Sequence, residues 1–340
     1  MRGSSYAIRV ECPGGYLSVE ELGSGRRRLE AVPTDESAFF IGARACDTSY
    51  PLELIRLILT VKGLPAVCDE IAREEDPGYL EHLLGWTVRA HVDVEAAGNV
   101  RILDFGCGGG ASTMILSRMF PHAEIVGVDI DSEARGIAEA RRLHYGIDRA
   151  EFRLSDDPTL VPGDLGVYDL VVFSALYEHL LPGERRVVIP AVWSHVRPGG
   201  LLFLAETPHR YAPIETHTTG GLPFVNYLPP ALALRAARRF SARIEPGVTW
   251  QQLLRRGMRG GTEREFMRYL TRAGYADAII ERPSKLGLRD EFDLWYEISH
   301  ANELPRLKMC LRHAFRGLHR VSGVSFTPYL AFAVRKQPAS

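Results

Sequence analysis

The sequence predicts an α/β protein built on a doubly wound, mostly parallel sheet, and three observations predict it. From residue 99 onward, short apolar runs alternate with amphipathic stretches of helical length, with Gly, Pro or Asp at the junctions. The first run ends in a glycine-rich turn that opens a helix, Leu103-Asp104-Phe105-Gly106-Cys107-Gly108-Gly109-Gly110. The next run closes on an acidic residue, in Val126-Gly127-Val128-Asp129-Ile130.

Strands are expected over 100–105, 124–130, 150–154, 168–173 and 201–206, with two later ones over 276–282 and 326–335. Helices are expected over 111–119, 132–145 and 183–195. The last stops at Arg197-Pro198-Gly199-Gly200, which does not continue a helix. Residues 1–98 follow a different pattern. Short alternating runs over 6–30, broken at Pro13-Gly14-Gly15 and Gly23-Ser24-Gly25, predict a small β-hairpin element, and 51–62 and 79–94 read as helices. This segment is expected to cap the domain spanning 99–340, which carries insertions at 207–261, after the fifth strand, and 283–323, after the sixth.

Composition narrows the class. Apolar residues make up 46% and charged residues 24%, as in ordinary globular chains, so disordered and fibrous readings drop out. With 41 Lys and Arg against 42 Asp and Glu, no global field favours a nucleic acid or an anionic membrane as partner. The local clusters Arg26 to Arg28 and Arg235, Arg238, Arg239 read as solvated faces. Five scattered cysteines without CxxC spacing argue against a disulfide framework and against a zinc site built on them. No run approaches the ~18 apolar residues of a membrane span, and a cytoplasmic enzyme is the expectation.

The glycine turn allows close backbone approach to a ligand, because no Cβ fills the space. Its form is Gly106-x-Gly108-x-Gly110, with Ala111 where the dinucleotide fingerprint has its third glycine. Asp129 stands where a carboxylate accepts both ribose hydroxyls, an arrangement that suits adenosine methyl donors and NAD alike. Asp104 separates the two. A carboxylate there repels a pyrophosphate and suits the ammonium end of a methionine moiety.

With these residues in place, the chain resembles the class I S-adenosylmethionine-dependent methyltransferases, in the small-molecule branch that includes ubiquinone-biosynthesis-like enzymes (types 11 and 12). Asp104-Phe105-Gly106-Cys107-Gly108 matches the family's first motif, and Asp129 its ribose-binding acid. Leu154-Ser155-Asp156 falls where the family places a side chain near the adenine amino group. The segment from Tyr168 to Leu180 looks like the fourth strand and its end beside the transfer centre, and Arg197 to Leu202 like the turn into the fifth. The resemblance implies a Rossmann-like seven-stranded sheet with its last strand antiparallel, and S-adenosylmethionine as cofactor. It implies that Asp104, Gly106, Cys107, Gly108, Asp129, Ile130, Asp156 and Ser174 hold that cofactor, Ile130 by stacking on adenine. Asp157 is an alternative to Asp156, and both could instead cap a loop.

The expected reaction is methyl transfer to a small-molecule acceptor, with oxygen the first choice of atom and a secondary metabolite or sugar the first choice of molecule. A hydroxyl acceptor arrives protonated and needs a base, for which His179, His209 and His217 are the candidates. His179 follows the fourth strand, where the resembling family often shows Glu-His without a demonstrated catalytic duty. The loop from Glu206 to Gly220 follows the fifth strand, and Glu206, His209 and His217 are expected to face the acceptor. Tyr227 could line the acceptor pocket, although for Phe224 and Tyr227 packing of the insertion onto the sheet is the preferred reading.

Ser174-Ala175-Leu176-Tyr177 is neither the Asn/Asp-Pro-Pro-Tyr motif of nucleic-acid amino methylation nor the Pro-Cys of cytosine-C5 chemistry. Catechol-type enzymes place an acidic metal ligand where this chain has Ser174, so no metal is expected. Nitrogen or carbon acceptors, a protein or RNA substrate, and a non-catalytic cofactor-binding module remain as alternatives. Asp104 and the missing third glycine disfavour an NAD-dependent dehydrogenase, and the oligomeric state stays open.

Overall fold

The computed structural model describes residues 7–35, 39–299 and 303–338. It begins with β1 (Ile8–Cys12), β2 (Gly15–Gly23), β3 (Arg26–Pro33) and β4 (Ala45–Thr48), an antiparallel meander in chain order. The hairpin element expected over 6–30 is therefore larger. Residues beyond Glu30 add a further strand, because Leu29 and Ala31 bury their side chains against Tyr50, Leu54 and Ile58. Three helices follow, α1 (Leu52–Lys62), α2 (Val67–Glu75) and α3 (His82–Arg89), the last entered through a π-helical turn over Pro77–Glu81.

The main sheet alternates with its helices: β5 (Arg101–Phe105), α4 (Ala111–Met119), β6 (Glu124–Asp129), α5 (Ser132–His144), β7 (Ala150–Leu154), β8 (Tyr168–Ser174), α6 (Pro182–Ser194) and β9 (Val196–Pro208). The first insertion holds a two-stranded hairpin, β10 (Ile214–Glu215) and β11 (Leu222–Pro223), with α7 (Pro230–Phe240) and α8 (Trp250–Arg255). Then come α9 (Glu263–Arg272), β12 (Ala278–Glu281), α10 (Glu291–Ile298), α11 (Pro305–Ser322) and β13 (Tyr329–Lys336).

The seven strands lie in the order β12-β13-β9-β8-β5-β6-β7, and β13 runs antiparallel to both of its neighbours. Every residue of β8 is buried, as a central parallel strand requires when helices cover both faces. One face packs Phe173, Trp193 and Phe266 against α6 and α9, and the other packs Leu84, Ile115 and Phe203 against α3 and α4. Each such side chain contributes ~1.5–3 kcal/mol by leaving water. The winding reverses between β5 and β8, so the crevice at their carboxyl ends is the place where this architecture binds ligands.

Strand β9 is longer than expected, running through Pro198-Gly199-Gly200 as well as past Glu206. A register shift opposite Tyr168 and Leu170 accommodates the Pro-Gly segment. The aromatics of the first insertion do not pack it onto the sheet. Val225, Ala233, Ala237, Leu253 and Met258 form a core of their own there, leaving Phe224 64% and Tyr227 48% exposed. Among the described residues, no helix is long and apolar enough to cross a membrane.

Candidate active site

The glycine turn is fastened to the strand beside it. The amides of Gly106 and Cys107 both donate to the Val128 carbonyl, at 2.7 and 3.2 Å, and the Gly108 amide donates to Asp129 Oδ2 at 2.7 Å. Asp129 Oδ1 accepts from the Asp131 amide at 3.0 Å, and each oxygen keeps a lone pair for a further donor. Gly106 has φ +82°, and a Cβ there would fall 2.7 Å from Leu176. Gly108, at φ +50°, has no atom within 4 Å of its missing Cβ, so its face of the turn is open.

Beneath the turn, Asp104 is completely buried. Its Oδ2 accepts from the hydroxyls of Ser112 and Thr113, at 2.7 and 2.6 Å, while Oδ1 has no hydrogen-bond partner. Burial pushes its carboxyl up to about 6. A buried carboxylate oxygen without a donor is costly unless a ligand supplies one. An ammonium group fits that need.

Around this turn, Ile130 is 53% exposed, an apolar surface next to Asp129 for a flat ring. Asp156 is exposed, whereas Asp157 is occupied in capping its own turn, accepting from the Thr159 amide at 2.7 Å. Cys107 turns its thiol inward among Met114, Ala138 and Phe152, so any contact with a ligand falls to its backbone. The turn also has a tie to the amino-terminal segment. Arg141 of α5, fully buried, donates to the Gly109 carbonyl at 2.7 Å, to Glu70 Oε1 of α2 at 2.9 Å and to the Tyr50 hydroxyl at 2.9 Å.

At the ends of β8 and β9, the Ser174 hydroxyl donates to Glu206 Oε2 at 2.9 Å, and Arg73 of α2 pairs with the same oxygen at 2.8 Å. Glu206 adopts φ +63°, a strained conformation for a residue with a Cβ. Glu178 is fully buried. Its Oε2 accepts from the Thr207 hydroxyl at 2.8 Å, and its Oε1 has no hydrogen-bond partner. The rings of His179 and His217 approach to 5.9 Å between centroids.

The structure therefore brings His179 and His217 together, while His209 and Tyr227 have other neighbours. His209 is 2% exposed, its Nδ1 accepts from the Tyr211 amide at 3.1 Å, and burial with the adjacent Arg210 drives it down to about 4. It is a neutral core residue at physiological pH. Tyr227 lies against Tyr211 and Phe224, its hydroxyl donating to the Tyr211 carbonyl.

A cavity of about 510 Å³ opens beside Glu206, lined by Tyr79, Glu263, Trp295, Lys308 and Tyr329 among others. Burial, reinforced by Glu291, pushes the Glu263 carboxyl up to about 7. Arg73, Glu178 and Glu263 were not singled out from the sequence. Glu178 carried a signal, standing beside His179. Arg73 carried none, because it meets Glu206 across 133 positions.

Residues 102–200 match the family model described as a methyltransferase domain. Strand order, glycine turn and this match agree. The chain carries a class I S-adenosylmethionine-dependent methyltransferase domain. It is 36% identical over 113 residues to the trans-aconitate 2-methyltransferase of Variovorax paradoxus, an alignment covering 33% of this chain and 40% of that protein. It is 32% identical over 123 residues to a ubiquinone biosynthesis O-methyltransferase of Burkholderia orbicola, covering 36% and 49%. It is also 36% identical over 104 residues to the ribosomal protein L11 methyltransferase of Dechloromonas aromatica, covering 31% of each.

The chain thus spans less than half the length of these curated relatives. Among solved structures, the plantazolicin methyltransferase BpumL, in complex with SAH, aligns at 15% identity over 84% of this chain and 96% of that one, with a TM-score of 0.45. S-adenosylmethionine is the cofactor that the domain indicates, and the orphaned Asp104 oxygen, the open face at Gly108 and the exposed Ile130 fit its ammonium, backbone-approach and adenine requirements.

Proposed function

We propose that the chain transfers a methyl group from S-adenosylmethionine to the hydroxyl oxygen of a small-molecule acceptor, with no nucleic acid as partner. The observation that carries this reading is the meeting of His179 and His217, which follow β8 and β9, the two strands whose ends Ser174 and Glu206 join. When bound, the cofactor supplies an electrophilic methyl carbon. Asp104 would take the ammonium end, Asp129 the ribose hydroxyls, Ile130 one face of the adenine and Asp156 its amino group. Buried strand ends exclude water and fix direction, which is much of what methyl transfer demands.

His217, with His179 beside it, then receives the acceptor's hydroxyl proton. Glu206 borders the cavity and orients the acceptor, with the segment 1–98 and the insertions 207–261 and 283–323 shaping the enclosure around it. Tyr227 would touch only an acceptor long enough to reach the outer surface of the first insertion. The cavity's mostly apolar lining, with Trp295 and Tyr329, suits a compact acceptor that carries a ring or aliphatic body.

The test has two stages. Calorimetric titration with S-adenosylmethionine and S-adenosylhomocysteine is expected to show one site, and absence of binding overturns the whole reading. A panel of hydroxylated, amino and acidic-carbon acceptors is then offered, with His217→Ala alongside. Oxygen methylation that falls sharply in His217→Ala at unchanged cofactor affinity is the expected result. Transfer to amines alone overturns the oxygen assignment, and unchanged turnover removes His217 from the mechanism.

A further inference from the structure

We propose that Glu178, His179 and His217 form a binding site for one divalent first-row transition cation, zinc being the reference ion. One donor atom from each residue lies within 4.8 Å of the other two, the one such trio found among the described residues. The residues come from two separate segments, the turn after β8 and the loop after β9, so the cluster is a product of folding.

Each donor is already aimed. The His179 Nδ1 hydrogen goes to the Arg255 carbonyl at 2.7 Å, which leaves Nε2 as the ring's ligand atom, 3.8 Å from Glu178 Oε1. Thr207 donates to the other carboxylate oxygen of Glu178 and thereby turns Oε1 towards the histidines. A partner holding the far side of each ligand is the arrangement found around protein-bound metals.

The cluster is also short of a positive partner. Glu178 is fully buried, and its Oε1 has no hydrogen-bond donor. His217 Nδ1 is buried and equally unpartnered. Two acceptors facing each other at 3.8 Å lack the charge that would hold them together, and a cation supplies it. Residue 257 is a glycine at φ +91°, and a Cβ there would lie 2.6 Å from the His217 ring and 3.1 Å from Glu178.

Two imidazoles and one carboxylate select borderline transition cations over magnesium or calcium, and a bound ion requires the donors to close to about 2 Å from a common centre. Three protein ligands leave a coordination position open. Ser174, which stands at the strand end where catechol-type enzymes place an acidic metal ligand, is not one of these three. The site stands on geometry alone. Its use, polarising an acceptor hydroxyl in the open position so that the proton leaves to solvent, rests on the methyl transfer proposed above. That use would replace the base role given there to His217, because a ligating imidazole has no lone pair left for a proton.

The experiment takes the full chain, strips it with chelator and titrates zinc by calorimetry and cobalt by absorption, with no cofactor present. One zinc per chain is expected, weakened more than ~100-fold in His217→Asn and in His179→Asn, beyond the loss of an outer partner. Gly257→Ala, which keeps all three ligands, is expected to weaken it as well, and circular dichroism confirms that each variant is folded. Equal zinc affinity in wild type and His217→Asn overturns the site. So does an intense thiolate charge-transfer band with cobalt, which would place the ion at cysteine, as at the neighbouring free thiols of Cys46 and Cys68. Titration of S-adenosylhomocysteine on the same samples keeps the readings separate, because zinc binding without it upholds the site while the proposed function fails.

Discussion

The two edges of the catalytic crevice are built differently. On the cofactor side, contacts are local in the chain. Asp104 meets Ser112 and Thr113 8 and 9 positions away, and Gly108 meets Asp129 at 21. On the proposed acceptor side, they are remote. His179 holds the Arg255 carbonyl across 76 positions, and Arg73 pairs with Glu206 across 133. A ligand common to many proteins can be held by one βαβ unit, whereas an acceptor pocket has to be assembled from segments that meet only on folding.

Arg141 offers the largest expected effect, since it lies outside both edges yet holds the cofactor turn. Arg141→Met leaves Glu70 and the Gly109 carbonyl without their buried partner, and should cost about 3–5 kcal/mol in chemical denaturation. A cost under 1 kcal/mol would show that the turn keeps its shape without this guanidinium.

Next comes the test of independence between the edges. Asp129→Ala should weaken S-adenosylhomocysteine by about 1.5–3 kcal/mol, the worth of hydrogen bonds to a charged group, while leaving acceptor KM unchanged. Arg73→Ala should do the reverse, raising acceptor KM severalfold as Glu206 loses its ion pair, with cofactor Kd held. Either variant moving both constants would break the division.

Acidity gives a finer separation. The Asp104 carboxyl lies raised at about 6, so its burial favours the neutral form. Its contribution to fold stability is fully present below the ordinary carboxylate range and is lost as pH rises through about 6. Cofactor affinity should run the other way, falling about tenfold per pH unit below 6 as the carboxylate needed by the ammonium disappears. Calorimetry across pH 5–7, repeated on Asp104→Asn, checks both the slope and its source.

This contrast also explains what was legible in the sequence. The glycine turn, Asp129 and the alternation of strands with helices are visible because period and spacing report local geometry, and α4 begins and ends where the pattern places it. Cys107 matched its motif, but only the structure shows that its side chain serves the core. His209 and His217 looked equivalent in the loop, and long-range packing made one a buried neutral residue and the other a member of the Glu178 cluster. The extra strand β4 and the separate core of the first insertion were illegible because short runs acquire a partner only in three dimensions.

The hydrogen bonds of Arg141 carry one more consequence. A single guanidinium joins the carbonyl of the cofactor turn to α2 and to Tyr50, which lies in the core beneath the meander. A ligand that tightens the turn is therefore expected to tighten the docking of α2 against it, and by thermodynamic reciprocity any such coupling acts equally in both directions. The amino-terminal segment and the cofactor turn thus share a buried side chain, and Arg141→Met is expected to lower cofactor affinity along with stability.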